Sequence, residues 1–136
     1  MNIIDDLKVK YPGAISWSFG DAPEMADELA ELVAKGIKTA ACSSLSSFKH
    51  EDKPPTIGGY GIILNSKGEP VCVIRVVSMR IIRYCDVDHD LARKEGEGDL
   101  SLSYWMQGHK DFFQREGSFD EAMELVAEEF ELVEVL

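Results

Sequence analysis

Gly36-Ile37-Lys38-Thr39-Ala40-Ala41-Cys42-Ser43 is the stretch on which the reading of this chain turns. A glycine suited to ending a helix is followed at once by a lysine, then by small, β-compatible residues. Upstream, Met25, Leu29, Leu32 and Val33 recur at helical spacing, with Glu24, Asp27, Glu28 and Glu31 on the other faces. Asp21 stands where an N-cap belongs, Pro23 follows early, and Glu24 lies three residues on, a capping-box arrangement. Downstream, Lys38 to Ser44 reads as a strand. Lys38 is thereby placed where a helix hands over to a sheet.

Working outward, Ile3 to Lys10 reads as a short helix that stops before Pro12, and Trp17-Ser18-Phe19-Gly20 as an extended segment. Lys53 to Gly59 is a loop. Gly61 to Leu64 and Val71 to Met79 form a hairpin around the turn Asn65-Ser66-Lys67-Gly68. Arg80 to Tyr84 is a further strand or a bent continuation. Asp88 to Lys94 reads as a short helix and Glu95-Gly96-Glu97-Gly98-Asp99 as a loop. Ser101 caps a helix that runs to about Arg115 and ends at Gly117, with an apolar stripe of Leu102, Trp105, Met106, His109, Phe112 and Phe113. From Glu121 the tail divides: its first half suits a helix, while Phe130, Leu132, Val133, Val135 and Leu136 favour a final strand. The elements interleave without regular βαβ units, which predicts a mixed, mainly antiparallel α+β fold in a single domain over 1–136.

The bulk properties narrow the function. Hydrophobic residues make up 45% of the 136, enough for one core. The chain has no apolar run of about 18 residues to span a membrane, and no signal peptide is evident, so a cytoplasmic location is expected. Cys42, Cys72 and Cys85 are odd in number and form no C-x-x-C pair, which argues against a disulfide framework or zinc knuckle. Net charge is −11, and residues 116–136 carry eight acids and no base. A surface of that sign repels duplex DNA. A short single strand or one nucleotide can still enter a locally basic pocket. No sequence feature specifies an oligomeric state.

Three stretches together resemble the YhfF-like group of ASCH-domain proteins, in order and spacing over about residues 15–136. They are Trp17-Ser18-Phe19-Gly20-Asp21; Gly36 to Ser43; and Glu95-Gly96-Glu97-Gly98-Asp99 with Ser101-Leu102, Tyr104-Trp105, His109 and Phe112-Phe113. The resemblance implies a PUA-like β-barrel flanked by helices, with a cleft beside the lysine and an association with RNA and modified nucleosides. Some members look like metal-dependent ribonucleases. A smaller branch resembles amidohydrolases of acylated cytidine that use a lysine, a threonine three positions later and a distant glutamate. Lys38 matches that lysine. Ala41 occupies the threonine position and has no hydroxyl. Glu95 or Glu97 corresponds to the glutamate.

These residues suggest a site. Lys38 can bind phosphate as a point charge, or lose its proton if desolvated. Glu97 and Glu95 are the carboxylates for general-base work beside Lys38, and with Asp99 they are oxygen ligands for a divalent Mg or Mn ion. Trp17 and Phe19 can stack on a base. Thr39, Cys42 and Ser43 supply small polar lining. Arg83, with Arg75 and Arg80, lies in the net-basic segment 51–85 and is placed for phosphate contact. Trp105 and His109 share a helical stripe, where packing competes with pocket lining. Two main functions follow: binding of short single-stranded RNA or of a modified nucleoside or nucleotide, and hydrolysis, with a ribonuclease ahead of an amidohydrolase because of Ala41. A weaker third is an acidic protein-interaction domain.

Overall fold

Two long strands organise the protein, whose computed structural model describes residues 3–136. Pro70–Arg83 (β4) and Glu124–Val135 (β5) pair antiparallel along nearly their whole length. Tyr60–Leu64 (β3) joins β4 antiparallel through the Asn65–Gly68 turn. Ile15–Trp17 (β1) lies parallel to β3, and Ala40–Ser44 (β2) antiparallel to β5. The strand order is β1-β3-β4-β5-β2. Register shifts at Val73/Ile74 and Val76/Ser78 mark bulges, with Val133 the extra residue on β5 and Val77 the extra residue on β4. Bulges bend a strand and increase its twist, and the sheet curls into a half-barrel whose edges are β1 and β2.

Among the described residues, five α-helices accompany it: Ile3–Lys10 (α1), Pro23–Ala34 (α2), Leu45–Lys49 (α3), His89–Glu95 (α4) and Leu102–Glu116 (α5). Leu91, Ala92, Trp105 and Phe113 of α4 and α5 pack on Leu125, Ala127 and Ala40. Ala30 and Val33 of α2 pack on Ile63, Ile74 and Phe130. Leu7 of α1 covers Ile62 and Val73. Among the described residues, no helix is long and apolar enough to cross a membrane.

The structure corrects several expectations. The tail has no helix: residues 124–135 are one strand. Leu125 and Ala127 pack on the α4–α5 side while Phe130 packs under α2. Both faces are therefore covered, and the period of two is hidden in a run of buried residues. Of the two alternatives for residues 80–84, the continuation holds as far as Arg83, where β4 ends. Lys38 and Thr39 precede β2 rather than belonging to it. The N-cap of α2 is Ala22, without a side-chain bond. Asp21 instead accepts from Arg115 Nε and Nη2 at 2.8 and 3.2 Å, fastening the segment after β1 to α5. The sequence reading had no counterpart to α3, whose N-cap Ser44 accepts from the Ser47 N–H at 3.1 Å.

The Trp17 indole lies where Gly61 of β3 has no side chain. A Cβ at Gly61 would stand 2.4 Å from the ring. Gly61→Ala is therefore expected to displace Trp17 and to cost about 1–3 kcal/mol, the usual range for overpacking. The measurement is urea unfolding followed by tryptophan fluorescence, read as a lower midpoint at unchanged slope.

Candidate functional site

Backbone contacts bury Lys38 before its side chain makes any. After α2 the chain turns at Gly36, in left-handed backbone at φ 75°. The N–H groups of Ile37 and Lys38 both donate to the Leu32 carbonyl, at 3.0 and 3.1 Å. Thr39 N–H donates to the Lys94 carbonyl at 2.7 Å, and its hydroxyl to the same oxygen at 3.3 Å. Phe130 N–H closes on the Thr39 carbonyl at 3.0 Å. From the other side comes α4, capped by Asp88 and ended by Gly96 in left-handed backbone. A Cβ at Gly96 would lie 2.6 Å from the Ile37 carbonyl oxygen. Only glycine allows this close crossing without strain, and it sets Glu95 and Glu97 about Lys38.

The Lys38 ammonium donates to Glu95 Oε1 at 3.2 Å, Glu97 Oε2 at 3.0 Å and the Glu95 carbonyl at 3.4 Å. Its three donors are thus committed. Its Nζ also stands 5.4 Å from the centroid of the Phe19 ring. The second Glu95 oxygen accepts from Trp105 Nε1 and lies 3.3 Å from His109 Nε2. The His109 ring stacks on Trp105 at 4.0 Å, with Nδ1 at 3.0 Å from the Trp105 carbonyl. Lys38 and Glu95 are 2% and 1% exposed, so their charges survive only by facing one another. Burial opposes the Lys38 charge, but Glu95 and Glu97 outweigh it and raise its pKa. Burial likewise opposes the Glu95 charge, and Lys38 and His109 hold it well below the usual carboxylate range. Burial lowers His109, and Glu95 more than reverses this. Lys38 is thus an ammonium, not a free amine nucleophile.

Glu95, Glu97 and His109 place ligand-type atoms within 4.8 Å of one another. With Lys38 in place, that set does not fit a divalent ion. The ammonium supplies the positive charge, and both Glu95 oxygens are already taken. Asp99 stands apart from this set: it is exposed, and its Oδ1 accepts from the Ser101 N–H at 2.9 Å.

A cleft of about 560 Å³ opens beside this network. Both sheet edges line it: Ile15, Ser16 and Trp17 of β1, and Ala41, Cys42, Ser43 and Ser44 of β2. Of the residues singled out by sequence, Trp17, Phe19, Cys42 and Ser43 meet there. Lys38, Glu95, Glu97, Thr39, Trp105 and His109 do not line it, and Trp105 is core. Arg83 is an exposed residue beside Glu124 in the β4–β5 ladder, away from the cleft. Phe19 and Cys42 link the two regions. Phe19 lies under the Lys38 ammonium, while burial and the neighbouring Glu95 push the Cys42 thiol well up. The charged groups lining the cleft are Glu51, Asp52, Glu116 and Glu128 against Lys8 and Lys53.

Glu128 is the cleft residue that the sequence reading passed over. It sits on β5 directly across from Ala41 and is 7% exposed. Among the described residues no hydrogen bond or ion pair reaches its carboxyl. Burial, and then Glu51, raise its pKa to about 7, with Lys38 acting the other way. Its sequence neighbours gave no signal, since it is one of eight acids in residues 116–136.

A curled half-barrel with helices on it, cradling a lysine where a helix meets a strand, defines a PUA-like α+β domain. The ASCH domain family model matches residues 15–134, and the chain belongs to that family. The crystal structure of an ASCH domain from Lactobacillus crispatus is 33% identical, covers 95% of this chain and 85% of its own, and superposes with a TM-score of 0.84. Protein EF3133 from Enterococcus faecalis is 37% identical over 88% of this chain and 76% of its own, at a TM-score of 0.79. A mutant ASCH protein from Zymomonas mobilis, 11% identical over 90% of this chain and 71% of its own, shares the fold at a TM-score of 0.57. No curated protein matches the chain.

Two stability predictions follow from the charges. Lys38→Met strands a buried carboxylate and is expected to cost about 3–5 kcal/mol. Adding Glu95→Gln should recover part of that loss in urea unfolding. Glu128 has the opposite sign. Its raised folded pKa means that stability falls as pH rises from about 4.5 to about 7, with the full cost present above that window. Glu128→Gln should therefore melt higher than the wild type at pH 8, by on the order of 2–3 kcal/mol. The difference should vanish near pH 4.5 in a series of thermal melts.

Proposed function

We propose that this ASCH-domain protein holds one nucleoside-sized ligand in the cleft between β1 and β2, either a modified nucleoside or nucleotide or an exposed base of a short single-stranded RNA. The observation that carries the reading is the cleft itself. Its volume of about 560 Å³ accompanies two aromatic side chains, Trp17 and Phe19, on one edge and small residues, Ala41 and Ser43, on the other. Small-molecule sites occupy about 300–1,000 Å³. Aromatic faces hold bases without reference to sequence. Edge strands also leave backbone N–H and C=O groups unpaired, and the Ser16, Ser18 and Ser43 hydroxyls add partners for a sugar or a base. A phosphate track has less support, because Lys38 has no donor left and acids outnumber bases in the lining.

A second reading, hydrolysis, is favoured by the convergence of Lys38, Glu95, Glu97 and His109. Against it, those groups satisfy one another behind Phe19 and Cys42.

Calorimetric titration with nucleosides, nucleoside monophosphates and short single-stranded RNA tests the binding reading. At least one class is expected to bind, and Trp17→Ala should weaken it about 10- to 100-fold, the equivalent of about 1–3 kcal/mol of stacking. Incubation with RNA, with or without Mg²⁺ or Mn²⁺, and with acylated cytidine is expected to leave each substrate intact. Turnover there would put the hydrolase reading in its place.

A further inference from the structure

Glu128 stands out from the other buried ionisable groups. Lys38 and Glu95 have each other, and His109 has Glu95. Glu129, the next residue along the strand, has Lys94 at 2.9 Å. Glu128 has no such partner among the described residues, although it is more than nine-tenths buried. No wholly buried side-chain oxygen in the described residues lacks a partner. The Glu128 oxygens therefore keep some exposed surface, and the residue lines the cleft. Trp17, Phe19 and Ser43 share that lining. An unpartnered carboxyl beside a stacking surface is equipped to bind the edge of a ring stacked there.

We propose that Glu128 is the group that reads the ligand in this cleft, by hydrogen bonding to an adjacent donor and acceptor on the edge of an uncharged nucleoside. The inference rests on the nucleoside-sized reading of the cleft and deepens it. An uncharged carboxyl offers one O–H donor and one carbonyl acceptor side by side. Nucleobases carry the complementary pairs: a ring nitrogen beside an exocyclic amino group, or a carbonyl beside a ring N–H. A carboxylate offers acceptors only and suits an edge with two donors. The local charges favour the uncharged form. Glu51, Asp52 and Glu116 face the cleft with Glu128, and the cations are Lys8 and Lys53 in the lining and Lys38 behind Phe19. The same surplus of acids sets the cleft against a phosphate. The ligand class is thus a neutral nucleoside, modified or not, in preference to its phosphates.

The test is calorimetric titration of the full chain with the four common ribonucleosides and their 5′-monophosphates, at pH 6, 7 and 8. Wild-type affinity for the best nucleoside should fall about tenfold between pH 6 and pH 8, following the protonated fraction of a group with a pKa of about 7. The monophosphate should bind more weakly than its nucleoside. Glu128→Gln keeps a donor beside an acceptor but does not titrate, so it should retain the pH 6 affinity and hold it at pH 8. Glu128→Leu should lose at least tenfold at pH 6. A purely structural role would produce neither the rescue by glutamine nor the flat profile. Affinity that rises with pH and is abolished by Glu128→Gln would overturn the proposal in favour of a carboxylate reading a double-donor edge. Nucleoside binding indifferent to both variants would overturn it and leave the cleft reading standing. Absence of binding by every nucleoside would overturn both.

Discussion

The buried ion pair between Lys38 and Glu95 is the constraint around which this fold is assembled. An ammonium 2% exposed survives only where every hydrogen finds an oxygen. Here three oxygens are supplied by the end of α4 and the residues just past it. That requirement fixes the Gly36–Thr39 connection against α4, and it holds α5 to the same point through Trp105 and His109. Pairs of this kind are poor sources of net stability beside a well-packed apolar core. What this pair does define is geometry. It sets where α2 releases the chain, and so where β2 begins along β5.

The cleft is a consequence of that placement. β2 adds to β5 at one end of the order and β1 adds to β3 at the other, and the curl of the sheet brings both edges to one opening. The ion-pair residues do not line this space, and Phe19 and Cys42 are the lining residues that neighbour them. Two sets of groups are thus kept apart. One is mutually satisfied and holds the scaffold; the other, with Trp17, Ser43 and Glu128, is free to meet a ligand. The Asp21–Arg115 pair, spanning 94 residues, ties the segment carrying Trp17 and Phe19 to α5 and steadies the aromatic side of the opening.

Much of the scaffold was legible because its signals are local. Gly36 and Gly96 mark turns in left-handed backbone, and Ser101 caps α5 as its position suggests. Glu95 and Glu97 were set beside Lys38 by the family resemblance, since their spacing around a glycine suits a solvated turn equally well. Partnerships made at a distance were not legible. Asp21 looks like a cap in sequence, yet its bond goes to Arg115. β5 looked partly helical because its two faces meet different cores, which erases the alternation that identifies a strand. Glu128 was hidden by composition: among so many acids, nothing local says which one faces a cavity.

Glu95 and Glu128 show why that distinction needs three dimensions. The two are the same residue type, each less than a tenth exposed, and both lie within reach of Lys38's field. Burial pushes both toward the neutral form. For Glu95 an ammonium, an imidazole and an indole N–H reverse the effect. For Glu128 the neighbouring acid Glu51 adds to the effect, and Lys38 only tempers it. Its cross-strand neighbour Ala41 contributes a methyl group. Side chains directly opposite in an antiparallel pair have Cβ atoms about 5 Å apart, close enough for a hydroxyl to bond a carboxyl. Alanine at this position offers no hydroxyl to the strand opposite. It leaves the carboxyl across from it without a hydrogen-bond partner among the described residues, and so available to whatever enters the cleft.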